Sequence, residues 1–147
     1  MMNRRKEQQG EICMSIEKSK ALARRFHSCV LDGFADLMSA DFVGHDIVGH
    51  TWDRDFQIAG LAADIASFED LHDTIHDIVA EGDKVFVRFT RSGKFKTRYE
   101  DFEPTNQEVE FPVMEMIRIS DDKIVEIWDY NDDGQVIRIL RGEEPKT

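Results

Sequence analysis

Apolar positions in the first half of the chain recur at helical spacing. Leu22, Phe26, Cys29 and Val30 follow one another at intervals of four, three and one, which puts them on one face, with Lys20, Arg24 and Arg25 elsewhere. Ser15, a residue type that caps helices, predicts where this helix starts. Gly33 breaks the pattern, and a short helical piece, FADLMS, then presents Phe34, Leu37 and Met38 to the same core. The segment GHDIVGH reads as irregular because Gly44 and Gly49 punctuate it. A third helix is expected over about Asp53 to Phe68, with Phe56, Ala59 and Ala63 on its buried side.

From His72 onward the period changes to two. TIHDIVAEGDKVFVRFTRSGKF predicts two strands joined at EGD, with a further turn at Ser92-Gly93. Val85, Val87 and Phe89 alternate with Phe86, Arg88 and Thr90, giving one fully apolar face and one mixed face. EVEFPVMEMIRI is a long strand, DKIVEIWDYN returns beside it through Asp121-Asp122, and DDGQVIRIL predicts a short terminal helix. Three helices followed by a meander mean α+β, because the second half has no room for the crossovers a parallel sheet needs. The expected architecture is a strongly curved antiparallel sheet wrapped around the N-terminal helices, cone-shaped, with one apolar pocket.

Within that pattern one residue is out of place. Phe111, Val113, Glu115, Ile117 and Ile119 share a strand face, so Glu115 sets a carboxylate inside an apolar row. Whether Asp129 on the returning strand joins it depends on the hairpin. A two-residue loop pairs position 115 with 128, whereas a three-residue loop, Asp121 to Lys123, pairs it with 129 and puts both acids on one side. Two carboxylates facing one apolar cavity cannot both ionise cheaply, so one would titrate near neutrality and could shuttle protons. The competing reading leaves both acids solvated at an edge or paired with Arg88 or Arg118.

Composition narrows the setting. The 147 residues suit one domain; they are 41% hydrophobic and 33% charged, with a formal charge of −11. Residues 1–25 carry seven Lys/Arg against three Asp/Glu, so the rest of the chain is strongly acidic and repels phosphate backbones and anionic lipid. Neither nucleic acid nor membrane is therefore an expected partner. Cys13 and Cys29 have no paired or metal-binding spacing, which suits a reducing cytoplasm. His72 and His76 stand four apart, the spacing of two ligands on a helix face, but the surrounding pattern favours a strand and no carboxylate or third His completes a site, so no metal is expected. Residues 1–13 read as a flexible tail, with Met14 a second start, and residues 142–147 as a C-terminal tail; the domain spans 14–141.

AEGDKVFVRF, PTNQEVEF and MIRISDDKIVEIWDYND together resemble the SnoaL-like polyketide cyclase family, a branch of the nuclear transport factor two and ketosteroid isomerase fold, and the likeness runs from about Ser15 to Leu140. The resemblance implies that Asp129, the acid after Trp128, is the general acid/base of a cofactor-independent aldol-type closure. The family's histidine partner falls at Glu115, which departs from that pattern: a protonated Glu115 would donate a hydrogen bond to an oxyanion or serve as a pKa-setting neighbour. His45 matches a polar position at the pocket mouth. Trp52, Phe56, Phe89, Phe111 and Trp128 are the candidate substrate-binding residues, suited to a small apolar molecule. Met114, Met116 and Arg118 face away from Glu115, and covering that outer sheet face predicts a homodimer. The functions in view are acid/base cyclisation or isomerisation of an apolar carbonyl compound, hydrolysis by an Asp-activated water, or non-catalytic binding on the same fold.

Overall fold

The structure is a computed structural model that describes the backbone of residues 2–143 and the side chains of residues 4–8 and 15–143. Helix α1 (Met2–Phe26) is followed by a 3-10 turn (Ala35–Leu37), strands β1 (Met38–His45) and β2 (Thr51–Asp53), and helix α2 (Arg54–Ser67). Four long strands come next, β3 (Phe68–Glu81), β4 (Lys84–Phe95), β5 (Glu108–Ser120) and β6 (Lys123–Tyr130), and helix α3 (Asp133–Leu140) closes the chain. All six strands form one curved sheet in the order β2-β1-β6-β5-β4-β3.

Several elements differ from the periodicity reading. The backbone of residues 2–13, expected as a tail, continues α1, so Ser15 lies inside the helix and caps nothing. Cys13 falls outside the described side chains, and most of the expected 142–147 tail falls outside the described residues. FADLMS gives only a 3-10 turn, and Met38 already opens β1. That strand was hidden because it pairs parallel with β6 through an irregular register, so its burial does not alternate cleanly; the sheet is therefore mixed and not wholly antiparallel. β4 runs straight through Ser92-Gly93, where a turn was expected. A Cβ on Gly93 would sit 2.9 Å from that of Phe68, so the glycine permits close approach of bulged β3 and turns nothing.

Other elements follow local chemistry. Asp53 caps α2 by accepting a 2.9 Å hydrogen bond from the Phe56 N–H, and Asp132 caps α3 from the Gln135 N–H at 3.1 Å. The principal core packs Ala23 and Phe26 of α1 and Leu61 of α2 against Val85, Val87, Phe89, Ile117, Ile124 and Ile127 of the sheet. A second cluster, centred on Phe68, Phe95, Val109, Ile139 and Leu140, seats α3.

The β5–β6 hairpin resolves the register question by a route neither loop length anticipated. The loop has two residues, Asp121 and Asp122, both at positive φ (52° and 60°), with Ser120 opposite Lys123. Ile119 pairs Ile124 but Arg118 pairs Glu126, so Val125 is an extra residue on β6. That bulge advances the register by one and sets Glu115 opposite Asp129. Two Asp residues in the left-handed region are tolerated but not optimal. Replacing them together, Asp121→Asn with Asp122→Gly, is expected to raise stability by about 0.5–1 kcal/mol, read as a higher denaturant midpoint at unchanged slope.

Candidate active site

Lateral pairing across β3, β4, β5 and β6 assembles the polar groups of the site. Asp73 of β3 lies opposite Arg91 of β4, which lies opposite Phe111 of β5; the next polar row runs from Ile78 through Val87 to Glu115 and Asp129. These side chains face helices α1 and α2 across a cavity of about 360 Å³. Phe26, Phe34, Leu61, Phe89 and Val113 make its apolar wall, and Trp52 and Phe56 line it where Phe56 is 65% exposed. The Trp52 indole crosses Gly44, where any Cβ would fall 2.2 Å from the ring, and its N–H donates to Gln57 at 2.6 Å. A space of this size holds a ligand of two or three fused rings.

His27 is the keystone of the polar wall. It follows the last residue of α1, its backbone N–H still bonded to the Ala23 carbonyl, and the buried ring is sandwiched edge-on by Phe26 and against Phe89. Nδ1 lies 2.9 Å from Asp73 Oδ2 and Nε2 lies 3.0 Å from Glu115 Oε1. Burial works to lower its pKa, but the Glu115 charge and the hydrogen bonds it donates to both carboxylates override it and push it up to about 9. The ring is thus an imidazolium donating from both nitrogens, and the C-terminal end of α1 suits a cation. Glu115 consequently accepts this hydrogen bond from His27.

Asp73 is in turn gripped by Arg91, with Nε to Oδ1 at 2.8 Å and Nη2 to Oδ2 at 2.9 Å. Burial opposes ionisation of Asp73, yet His27 and Arg91 hold its carboxyl below the usual range. Arg91 Nη1 donates to Asp64 Oδ2 of α2 at 2.7 Å, and burial pushes the Asp64 carboxyl up despite that guanidinium. Beside them the Cys29 thiol is pushed up to about 11 by burial and the Asp73 charge, so it is no nucleophile.

Asp129 completes the wall. Its Oδ1 is enclosed and has no hydrogen-bond partner among the described residues. Burial first, and the Glu115 charge second, raise its pKa to about 7, with Arg91 and His27 pulling the other way. Asn131, two residues on, also lines the cavity, and Asp132 then caps α3.

The candidates divide accordingly. Asp129, Glu115, Trp52, Phe56, Phe89 and Phe111 all line the cavity. His45 and Trp128 do not: the parallel register places them side by side on the outer sheet face, their rings stacked at 5.4 Å, with His45 Nε2 2.7 Å from Glu126. They fail as site residues because strand alternation turns Trp128 outward wherever Asp129 turns inward. Arg88 and Arg118 also face outward, bonded to Asp77 and Glu126, so they do not neutralise the inner acids. His72 bonds the Asp70 carbonyl and His76 the Thr90 hydroxyl; among the described residues no group of three or more His, Cys, Asp or Glu is placed to hold a metal ion.

His27, Asp64, Asp73 and Arg91 went unnoticed in the sequence. Asp73 had a signal, since it interrupts the apolar row Leu71, Ile75 much as Glu115 interrupts its own; Arg91 continues the row Val87, Phe89. His27 had none, as nothing in a helix pattern shows that the first residue past its end will be buried.

A curved mixed sheet folded over helices, with acids at the bottom of an aromatic cavity, defines an α+β domain of the nuclear transport factor two and ketosteroid isomerase type. The chain belongs to the SnoaL-like polyketide cyclase family, whose pattern it matches over residues 19–139. Among solved structures it is similar to AclR of Streptomyces galilaeus, a proposed hydroxylase (24% identity, 90% of this chain and 85% of that one, TM-score 0.77). IdmH of Streptomyces antibioticus, a proposed polyketide cyclase, shares 26% identity over 84% of this chain and 96% of its own, TM-score 0.68. An LEH-like epoxide hydrolase of M. tuberculosis shares the fold at 17% identity, 87% of this chain and 93% of that one, TM-score 0.68. No curated protein matches the chain, and no described helix is long and apolar enough to cross a membrane.

Asp129 and His27 give stability a pH dependence through the neutral range. Asp129 is raised from 3.8 to about 7, so folding favours its protonated form and that contribution, complete below pH 3.8, is lost as pH rises through 7. His27, raised from 6.5 to about 9, behaves in the same sense one step higher, with loss between those values. Stability should therefore decline from about pH 4 to 9. Asp129→Asn should abolish the first part of the decline and leave the variant more stable than the parent at pH 8, by about 1–3 kcal/mol in chemical denaturation.

Proposed function

We propose that the chain is a cofactor-independent enzyme that transfers protons on an apolar carbonyl compound held in the cavity, with Asp129 as the acid/base. One observation carries this reading: a carboxyl with a pKa of about 7 and an unpartnered oxygen lies in the wall of an aromatic cavity. At neutral pH such a group exists in both forms, so it can take a proton from a carbon next to a carbonyl and return it to an oxygen or another carbon. Glu115 is a neighbour and not a second proton donor; its charge keeps Asp129 from ionising too early, and His27 keeps that charge in place. Asn131 is the neutral amide closest along the chain to Asp129, suited to a carbonyl oxygen. Cyclisation and isomerisation both need only these parts, and membership of the cyclase family supports them over simple binding.

On any substrate found by screening, Asp129→Asn should lower kcat/KM by 10²- to 10⁴-fold, and the parent's kcat/KM should rise or fall with an apparent pKa near 7 that the variant lacks. Full turnover by the variant would end the proposal. Incorporation of oxygen from heavy-oxygen water into the product would instead assign Asp129 to hydrolysis.

We also propose self-association through the outer sheet face, where Val79, Phe86, Met116 and Trp128 form one apolar row across four strands and Met114 and Tyr130 stand about half exposed. Sedimentation velocity at micromolar concentration should give a dimer that Met116→Lys dissociates; a monomeric parent would contradict it.

A further inference from the structure

Arg91 and His27 are the two cationic side chains in the cavity lining, and every nitrogen of both already has an acidic partner. Both His27 nitrogens are bonded to carboxylates. Every Arg91 nitrogen is engaged: Nε and Nη2 with Asp73, Nη2 also facing the Cys29 sulfur at 3.9 Å, and Nη1 with Asp64. Three acids, Asp64, Asp73 and Glu115, thus surround two cations, and Asp129 adds to the excess whenever it ionises. Asp73 and Glu115 are needed to build the wall, because they hold His27. Asp64 has no such duty. It projects from α2 on the face that carries Gln57, Gly60 and Leu61 to the cavity, and its carboxylate covers the one guanidinium nitrogen that Asp73 leaves free.

We infer that Asp64 is a specificity-determining residue: by covering Arg91 Nη1 it closes the cavity to carboxylate ligands, so that the substrate is an uncharged ester or ketone and not a free acid. Without Asp64, Arg91 would present an open guanidinium edge in an apolar, partly water-excluded space, the arrangement that binds a carboxylate best. With it, an entering anion meets a surplus of negative charge and no unpaired cation, and its desolvation goes uncompensated. The polar groups left for a ligand include the Asn131 amide, the amide N–H₂ of Gln57, whose oxygen is taken by Trp52, the Tyr99 hydroxyl and Asp129. The word substrate rests on the acid/base reading above; the charge selection does not.

Three probes of one shape test it. Methyl 2-naphthoate, 2-naphthoate and 2-naphthylmethylammonium are titrated calorimetrically into the full chain at pH 7. The ester should bind, and the carboxylate at least tenfold more weakly. Asp64→Ala, which uncovers Arg91 Nη1 and removes the charge, should strengthen carboxylate binding at least tenfold relative to the ester. Circular dichroism monitors folding; should that variant not fold, Asp64→Ser replaces it, and the parent's own ranking needs no variant. Equal binding of acid and ester by the parent, an ammonium that binds tenfold tighter than the ester, no gain of carboxylate affinity in a folded variant, or no binding by any probe each overturns the inference. A fully active Asp129→Asn removes the catalytic reading and leaves the charge ranking untouched, so the two failures are distinguishable.

Discussion

The structure depends on a buried imidazolium held between two carboxylates. His27 ties the end of α1 to β3 through Asp73 and to β5 through Glu115, across the interior of the curved sheet. Such an arrangement is poor value as plain stabilisation, because removing three charges from water costs about as much as their mutual attraction returns. What it does is fix geometry. Any shift of α1 against the sheet would strand a buried charge, at a penalty on the order of 3–5 kcal/mol, so the helix, the cavity wall and the Glu115 carboxylate are held in one mutual position. Arg91 extends the chain to α2 through Asp64, and both helices that cover the sheet are thereby bonded to its polar row.

The same chain of charges explains why two acids facing each other on adjacent strands have different characters. Glu115 lies against His27 and is matched; Asp129 has no hydrogen-bond partner for Oδ1 and feels Glu115 as a like charge. Burial and that like charge raise the proton affinity of Asp129.

Much of this was legible in the sequence where a rule of alternation applied. The two-fold period located β4, β5 and β6, and the oddity of a carboxylate in the row Phe111 to Ile119 singled out Glu115. The same period left the face of Asp129 open, because it hung on the hairpin, and the family resemblance singled that acid out. Illegible features had one cause in common: they depend on contacts between residues far apart in the chain. The parallel pairing of β1 with β6 links residues more than eighty apart, and His27 meets Glu115 over a separation of 88. His45 and Trp128 were misplaced for a related reason, since membership of a motif says nothing about which side of a strand a neighbour occupies. Gly93 shows the limit of punctuation residues: it served close packing and looked like a turn.

The single extra residue in β6 reaches further than its size suggests. Between positions 115 and 129 lies an odd number of residues, and an antiparallel pair closed by an even loop can face them inward together only if one residue is looped out of the ladder. Parity is thus an inheritable property of this hairpin, separable from the identity of either acid. Relatives that keep a tryptophan followed by aspartate but change that count by one would present the carboxyl to bulk solvent. Their cores would remain intact although the carboxyl had left the cavity, so the count along the hairpin, as much as the presence of the acid, decides which side of the sheet the acid faces.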